Sequence, residues 1–234
     1  IPSIGFVHRG LESLVQKREF TEYAYVAERI CGICSFMHGM SYCDAVEHIM
    51  NLEIPDRAKY LRTIWSEMSR IHSHLLWLGL LADAFGFESL FMQSWRMREK
   101  ILDMFEMSTG GRVIFSVNQV GGVLRDMDSD MLNHFLDELA EIEKELKVLS
   151  KTFLDDAAVN NRLRGVGYLS KQQAMDLSIV GPFMRASGIK RDMRTLGYNA
   201  YKELDFEPVT SDIGDSYARC EVRIGERFQS IDLI

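Results

Sequence analysis

The segment Glu28-Arg29-Ile30-Cys31-Gly32-Ile33-Cys34-Ser35-Phe36-Met37-His38 sets two cysteines three apart and a histidine four further on. If the segment is helical, each residue advances about 100° around the axis, so two thiols and an imidazole fall in a stripe roughly 60° wide. That spacing predicts one face bearing soft sulfur donors and a nitrogen, with the rest of the chain as the helical scaffold that buries and aims it. Phe36, Met40, Cys43, Val46, Ile49 and Met50 continue an apolar stripe at helical spacing as far as Asn51. Cys31 and Cys34 are therefore expected near the N-terminal end of a long helix, where the macrodipole and free N–H groups favour thiolate over thiol.

Outward from this segment the pattern stays helical. Before it, Ile1 to Val7 reads as the end of a strand or a loop, Leu11 to Arg18 has helical spacing, and Thr21 with Glu22 suits a helix start. After it, Pro55 and Asp56 suit the opening of a helix whose pattern runs from Arg57 to Leu78 with Ile64, Met68, Ile71, Leu75 and Leu78 buried. Gly86 breaks it, and Glu88 to Met107 begins again with Met92, Trp95, Met97, Ile101, Leu102, Met104 and Phe105. Gly110 to Gly122 is rich in glycine and β-branched residues and reads as an ordered loop or short strand. Asp128 to Phe153 is an amphipathic helix with Leu132, Phe135, Leu136, Leu139, Ile142, Leu146 and Leu149 inward. Asn160 to Arg164 ends a short helix, Ser170 caps another over Lys171 to Leu177, and Gly181-Pro182 closes it. Arg185 to Pro208 has little periodicity and reads as a long structured loop, while Arg219 to Ile234 is helical and stops in mid-pattern. With no internal repeat or low-complexity linker, 1–234 is expected to be a single, mainly α unit, a four- or five-helix bundle with short strand or loop insertions.

Composition narrows the classes. With 234 residues, 47% of them hydrophobic, the chain has enough material for a sizeable core. Its 27 basic and 34 acidic residues give a net charge of −7, and no dense Lys/Arg block tracks phosphates, which argues against nucleic acid as a partner. No apolar run approaches the roughly 18 residues of a bilayer span. Cys31, Cys34, Cys43 and Cys220 are too few and too unevenly spaced for a secreted disulfide framework, so a reducing compartment is expected. The Ile1-Pro2 start without a signal-peptide pattern, and the end in mid-helix, are read as those of a fragment.

Arg29-Ile30-Cys31-Gly32-Ile33-Cys34, His38, Ala45 and Glu47 fit the pattern RxCGxCxxxHxxxxxxAxE. This resembles the N-terminal cysteine signature of [NiFe]-hydrogenase large subunits. His8-Arg9-Gly10-Leu11-Glu12, Thr109-Gly110-Gly111-Arg112, Gly121-Gly122-Val123 through Asp126, Arg164-Gly165-Val166-Gly167 and Gly181-Pro182-Phe183-Met184-Arg185-Ala186-Ser187-Gly188 extend the resemblance over essentially the whole chain. The branch resembled is the group 4, energy-converting, membrane-associated hydrogenases, related to the 49 kDa (NuoD-type) subunit of respiratory complex I. The resemblance implies a nickel–iron centre held by four thiolates, with Cys31 terminal on nickel and Cys34 bridging. The other pair would lie outside this sequence, so the piece itself is expected to be inactive. It implies His38 as a hydrogen-bond donor to the bridging sulfur and Arg29 facing a [4Fe-4S] cluster in a small iron–sulfur subunit. Membrane subunits of a complex I-like assembly would hold the protein on the cytoplasmic face. Soft thiolates suit nickel and iron whatever the family. The complex I branch lacks these cysteines and binds quinone in the vacated cavity, where it carries a tyrosine at the place of Gly32.

Other readings compete at each position. A CxxC also serves zinc or dithiol redox chemistry, although the strand and βαβ pattern of a thioredoxin-like motif are missing. Cys43 and Cys220 read as core thiols, His72 and His74 as a packed or surface pair, and the methionines as core. Glu12 and Glu28 are candidate proton carriers, or else cap helices or pair with Arg9 or Arg29. Arg112 and Arg185 either face a cluster or partner, as cofactor-contacting groups, or form structural salt bridges.

Overall fold

The computed structural model describes residues 2–234. Ten helices and one small hairpin are found among these residues: α1 Leu11–Val15, α2 Tyr23–Ala27, α3 Ser35–Met50, α4 Asp56–Ala84, α5 Glu88–Thr109, β1 Asn118–Gln119, β2 Gly122–Val123, α6 Ser129–Asp155, α7 Ala157–Leu163, α8 Lys171–Asp176, α9 Gly181–Arg185 and α10 Ser216–Leu233. The fold is mainly α, as expected. The two strands pair antiparallel, Asn118 opposite Val123 and Gln119 opposite Gly122, within the stretch expected to be loop or short strand.

α4 is the central helix. It opens after Pro55 with Asp56 in its first turn, and its inner face carries Leu61, Trp65, Met68, Ile71, Leu75 and Leu78, each nearly or wholly withdrawn from solvent. α5 folds back along it across the Gly86 break, and their seam is closed by polar contacts as well as apolar ones. Trp65 Nε1 donates to Ser108 Oγ at 3.1 Å, and Ser94 Oγ donates to the Leu75 carbonyl at 2.6 Å. Phe105, Phe115 and Phe36 stack in series, with centroids 4.5 and 5.5 Å apart, and so carry the α5 core across the loop to α3. α6 adds Phe135, Leu139, Ile142, Leu146, Leu149 and Phe153 to the same core, and its Asp128 N-cap accepts from the Met131 amide.

One buried cation ties these pieces together. Arg62, fully buried on α4, donates to Asp44 and Glu47 of α3 at 2.7 to 2.9 Å and to the carbonyls of Gln119 and Gly122 in the hairpin at 3.0 and 2.9 Å. Glu47 returns the contact by accepting the Gly121 amide at 2.8 Å. A second polar chain crosses the C-terminal third. His74 meets Glu226 at 2.8 Å, Glu226 meets Arg185 at 2.6 Å, and Arg194 joins Asp192 to Glu67.

Several expectations need correction. Cys31 precedes α3 in a turn and Cys34 caps it, so the cysteines are not on one helical face. Ile49, Met50, Met92 and Leu136 are exposed, because the neighbouring helices do not reach that far around α3, α5 and α6. Residues 4–7 form a turn rather than a strand, and Ile1 lies outside the described residues. Gly181-Pro182 opens α9 instead of closing α8, proline being placed where its missing N–H costs nothing. The stretch after Arg185 includes a 3-10 turn, Met193–Leu196. His72 and His74 are both buried, which fits the packed alternative, and Cys43 and Cys220 are core thiols as expected. No helix among the described residues is long and apolar enough to cross a membrane.

Removing the Arg62 guanidinium strands two carboxylates and two carbonyls, so Arg62→Ala is expected to cost about 3–5 kcal/mol of stability, read as a fall in the urea midpoint. Stability also falls on acidification. Burial lowers His72 to about 3 and His74 to about 4, the latter remaining neutral against the Glu226 carboxylate. The unfolded chain binds protons near 6.5 while the folded one does not until pH 3–4, so stability drops as pH falls from about 6.5 toward 4. Urea titrations across that window are expected to show the slope, and His72→Gln to reduce it.

Candidate metal centre

The turn between α2 and α3 exposes two sulfurs because the chain is not yet helical there. Cys34 stands at φ −113° and ψ 28°, outside helical geometry, and the helix begins at Ser35. The Cys34 amide, free of any intrahelical acceptor at this end, donates to Cys31 Sγ at 3.4 Å. His38, one turn into α3, brings Nε2 to 3.4 Å from Cys34 Sγ. The two Sγ atoms and a His38 ring nitrogen lie within 4.8 Å of one another, and all three residues are half-buried. Ser35 Oγ donates to the Val113 carbonyl at 2.9 Å and Asn118 donates to the Phe36 carbonyl at 3.3 Å, which pins the 110–118 loop beside the turn.

The two thiols differ in acidity. For Cys31, burial works against the thiolate, but hydrogen bonds from the Cys34 thiol and from the Cys34 and Ile33 amides outweigh it and lower the pKa. For Cys34, burial together with the adjacent Cys31 sulfur pushes the thiol up to about 12. Helix position alone predicts two acidified thiols, and partial burial reverses that for Cys34. The donor set suits a soft transition metal: two sulfurs and an imidazole converge, one sulfur is easily deprotonated, and a coordinated ion repays the cost of ionising the other.

Glu28 and Arg29 flank this turn. Glu28 is buried, and desolvation raises its pKa although Ser116 donates to Oε2 twice, from N–H at 2.8 Å and from the hydroxyl at 3.0 Å. Arg29 is half-exposed and donates to the Tyr25 carbonyl at 2.9 Å and to Ser116 Oγ at 2.7 Å. Glu12 is exposed, pairs with His8 at 2.8 Å, and lines a pocket of about 250 Å³ together with Arg9, Tyr23 and Ile30. Its carboxyl is held low, first by its own backbone amide and then by His8.

Arg112 follows the 110–111 glycines near the same loop, but it bridges Glu99, Asp103 and Glu106 along the outside of α5 at 2.5 to 2.8 Å. Arg185 is buried elsewhere, between Glu226 and the Arg191 carbonyl, at 2.6 and 3.2 Å. Its partners all belong to the C-terminal third. Ser116 carries no sign of its importance in the sequence, since only its left-handed backbone, at φ 48°, marks it out. Arg62 does carry a sign, as a charged residue inside a helix face otherwise filled by Leu61 and Trp65.

A family model described as nickel-dependent hydrogenase matches residues 9–83, and one described as the respiratory-chain NADH dehydrogenase 49 Kd subunit matches residues 84–234, more than half of the chain. The chain is 38% identical to the alpha subunit of the membrane-bound hydrogenase of Pyrococcus furiosus, over 99% of this chain and 56% of that protein. It is 36% identical to formate hydrogenlyase subunit 5 of Escherichia coli, over 98% of this chain and 41% of that protein. It is also 36% identical to an NADH-quinone oxidoreductase subunit of Protochlamydia amoebophila, over 100% of this chain and 58% of that protein. The chain thus spans about half the length of these relatives. It belongs to the family of the respiratory-chain NADH dehydrogenase 49 Kd subunit, and its nickel-dependent hydrogenase signature sets it among the group 4 [NiFe]-hydrogenase large subunits related to that subunit.

Proposed function

We propose that this chain is the cysteine-bearing part of the catalytic large subunit of an energy-converting [NiFe]-hydrogenase. The enzyme interconverts H₂ with protons and electrons, and a small iron–sulfur subunit carries the electrons. The observation that supports this reading best is the convergence of Cys31, Cys34 and His38 within 4.8 Å, in a stretch that matches nickel-dependent hydrogenases. Cys31 and Cys34 would supply two thiolates of the nickel–iron centre, and the two further thiolates of a four-sulfur centre would not be Cys43 or Cys220, which are buried in the core. When bound, the centre supplies the redox chemistry of H₂.

The protein's own groups do the rest. His38 Nε2 lies 3.4 Å from Cys34 Sγ, and once that sulfur is ionised by a metal a protonated Nε2 would donate to it, fixing the ring and drawing electron density from the sulfur. Glu28 is the proton carrier. Its raised pKa lets it hold a proton nearer neutral pH, and because Oε2 already accepts two hydrogen bonds from Ser116, the proton sits on Oε1. Arg29, tethered by Ser116 and Tyr25 but still half in solvent, would present its positive charge to a cluster in the iron–sulfur subunit and so favour the cluster's reduced state. Glu12, exposed beside His8, is the group that would release protons to solvent. Arg185 is an interior ion-pair residue and takes no part. The whole subunit docks on membrane subunits of a complex I-like assembly, at the cytoplasmic face.

A second reading draws on the 49 Kd subunit match over residues 84–234, namely a quinone-handling complex I-like subunit. Metal analysis separates the two. In the full-length protein purified with its partners, nickel and iron are expected at stoichiometric level and to be lost in Cys34→Ser. A nickel-free preparation inhibited competitively by quinone analogues would establish the second reading instead. Glu28→Gln is expected to keep the metals and to lower H₂ turnover by roughly 10²–10⁴-fold. In metal-free protein at pH 7–8, iodoacetamide is expected to label Cys31 ahead of Cys34, Cys43 and Cys220, as read by peptide mass spectrometry, because only Cys31 has a lowered pKa.

A further inference from the structure

Two residues that are locally unfavourable meet at one carboxylate. Gly39 lies inside α3, immediately after His38, where alanine is the better helix former. A Cβ at Gly39 would stand 2.7 Å from Glu28 Oε1 and 2.8 Å from Glu28 Cγ, so the missing side chain is the slot that Glu28 fills. On the other side Ser116 adopts a left-handed backbone at φ 48°, a conformation that residues other than glycine and asparagine rarely take. That conformation turns its N–H and hydroxyl toward the same oxygen, Glu28 Oε2, at 2.8 and 3.0 Å. The hydroxyl oxygen also accepts from Arg29 Nη1 at 2.7 Å, so a single serine holds both residues that precede Ile30 and Cys31. The loop bearing Ser116 is fixed in turn by the Ser35 bond to Val113 and by the Phe115 ring between Phe36 and Phe105.

We propose that Gly39 and Ser116 are positioning residues that cradle the Glu28 carboxylate and, through the Ser116 hydroxyl, hold the Arg29 guanidinium in register with the Cys31–Cys34–His38 turn. The inference rests on the hydrogenase reading for its catalytic consequence, though not for the cradle itself. A carboxylate that must exchange a proton needs its oxygens presented unequally, and the cradle does this by satisfying Oε2 with two donors and leaving Oε1 against a bare Cα. Alanine at 39 fills the space of Oε1 and displaces Glu28 without harming the helix, since the obstructed atoms are the far end of a flexible side chain.

The test uses the full-length subunit in its native complex, as Gly39→Ala, Ser116→Gly, Glu28→Ala and the double variant Gly39→Ala with Glu28→Ala. Two measurements are made: H₂ turnover with nickel content across pH, and amide hydrogen exchange over residues 113–118, which reports the Ser116 N–H held by Glu28. Gly39→Ala is expected to retain nickel and melting temperature, to lose at least tenfold in turnover with a changed pH profile, and to speed Ser116 exchange at least tenfold. On the Glu28→Ala background the same substitution is expected to change either quantity less than twofold. Ser116→Gly, which relieves the left-handed backbone and keeps the amide, is expected to lose turnover without losing stability. Wild-type turnover and exchange in Gly39→Ala, or an equal loss on both backgrounds, would overturn the cradle. Wild-type turnover in nickel-loaded Glu28→Ala overturns the catalytic consequence while leaving the hydrogenase reading intact. Absence of nickel from the native complex overturns the hydrogenase reading, and the exchange cycle then decides the cradle alone.

Discussion

The fully buried guanidinium of Arg62 fixes the geometry on which the candidate metal centre depends. It takes two carboxylates from α3 and two carbonyls from the β1–β2 hairpin, and Glu47 closes the circuit by accepting the Gly121 amide. A charge in this position is tolerated because both terminal nitrogens are bonded at hydrogen-bond distance and two anions face it, although Nε has no partner. The consequence is directional. α3 cannot slide along α4, and the 110–123 segment cannot lift from α3, without exposing an unpaired buried ion. Since Cys34 caps α3 and Ser116 lies in that segment, the sulfurs and the carboxylate they flank keep a fixed separation.

Apolar packing alone would not provide this. The core seam of α4 with α5 and α6 is made of Leu, Ile, Met and Phe side chains that tolerate small shifts, and it supplies most of the burial that drives folding. Register near the site is instead set by oriented groups: Arg62 in the hairpin, Ser35 on Val113, Asn118 on Phe36. In the C-terminal third, the chain from His74 through Glu226, Arg185, Asp192 and Arg194 to Glu67 plays the same part, tying α9 and the 3-10 turn, which are too short to be held by periodic apolar contacts, to α4 and the longer α10. That explains why Arg185, though it lies in a glycine-flanked stretch that invites a surface role, is an interior residue.

How much of this the sequence discloses follows from which forces leave a pattern. Helices α4, α5, α6 and α10 are legible because burial of one face writes a 3.6-residue period into the chain. The boundary at Ser170 is legible because capping demands particular side chains, and its full capping box with Gln173 is present. Periodicity marks a face but not how far the neighbouring helices extend, so Ile49, Met50, Met92 and Leu136 read as buried and are exposed. Helical spacing also brings Cys31, Cys34 and His38 together for the wrong reason. The true cause is a turn whose free amide reaches back to a sulfur, and the outcome coincides because both arrangements place the imidazole one turn beyond Cys34. Ser116 and Gly39 are illegible, since a left-handed serine and a glycine used as a slot have no composition or spacing that announces them.

The two family matches divide the chain at residues 83 and 84, near the end of α4, yet no physical division follows that line. Trp65 is bonded to Ser108, Arg62 to Gln119 and Gly122, and His74 to Glu226, so residues of the first match are held in place by residues of the second. A helical scaffold of this kind carries no chemistry by itself, and a fold shared with quinone-handling relatives is no argument for their reaction or for hydrogen chemistry. Among the described residues, what bears on the alternatives is concentrated in one turn. Sulfur at positions 31 and 34 gives the space beside His38 two soft donors, and Gly32 between them is exposed, with nothing within 4 Å of where a Cβ would stand. The Ser35–Val113 and Asn118–Phe36 bonds pin the 110–118 loop beside this turn and Arg62 ties the hairpin to α4, so the donors at 31, 34 and 38 are held in place by bonds that none of their own side chains makes.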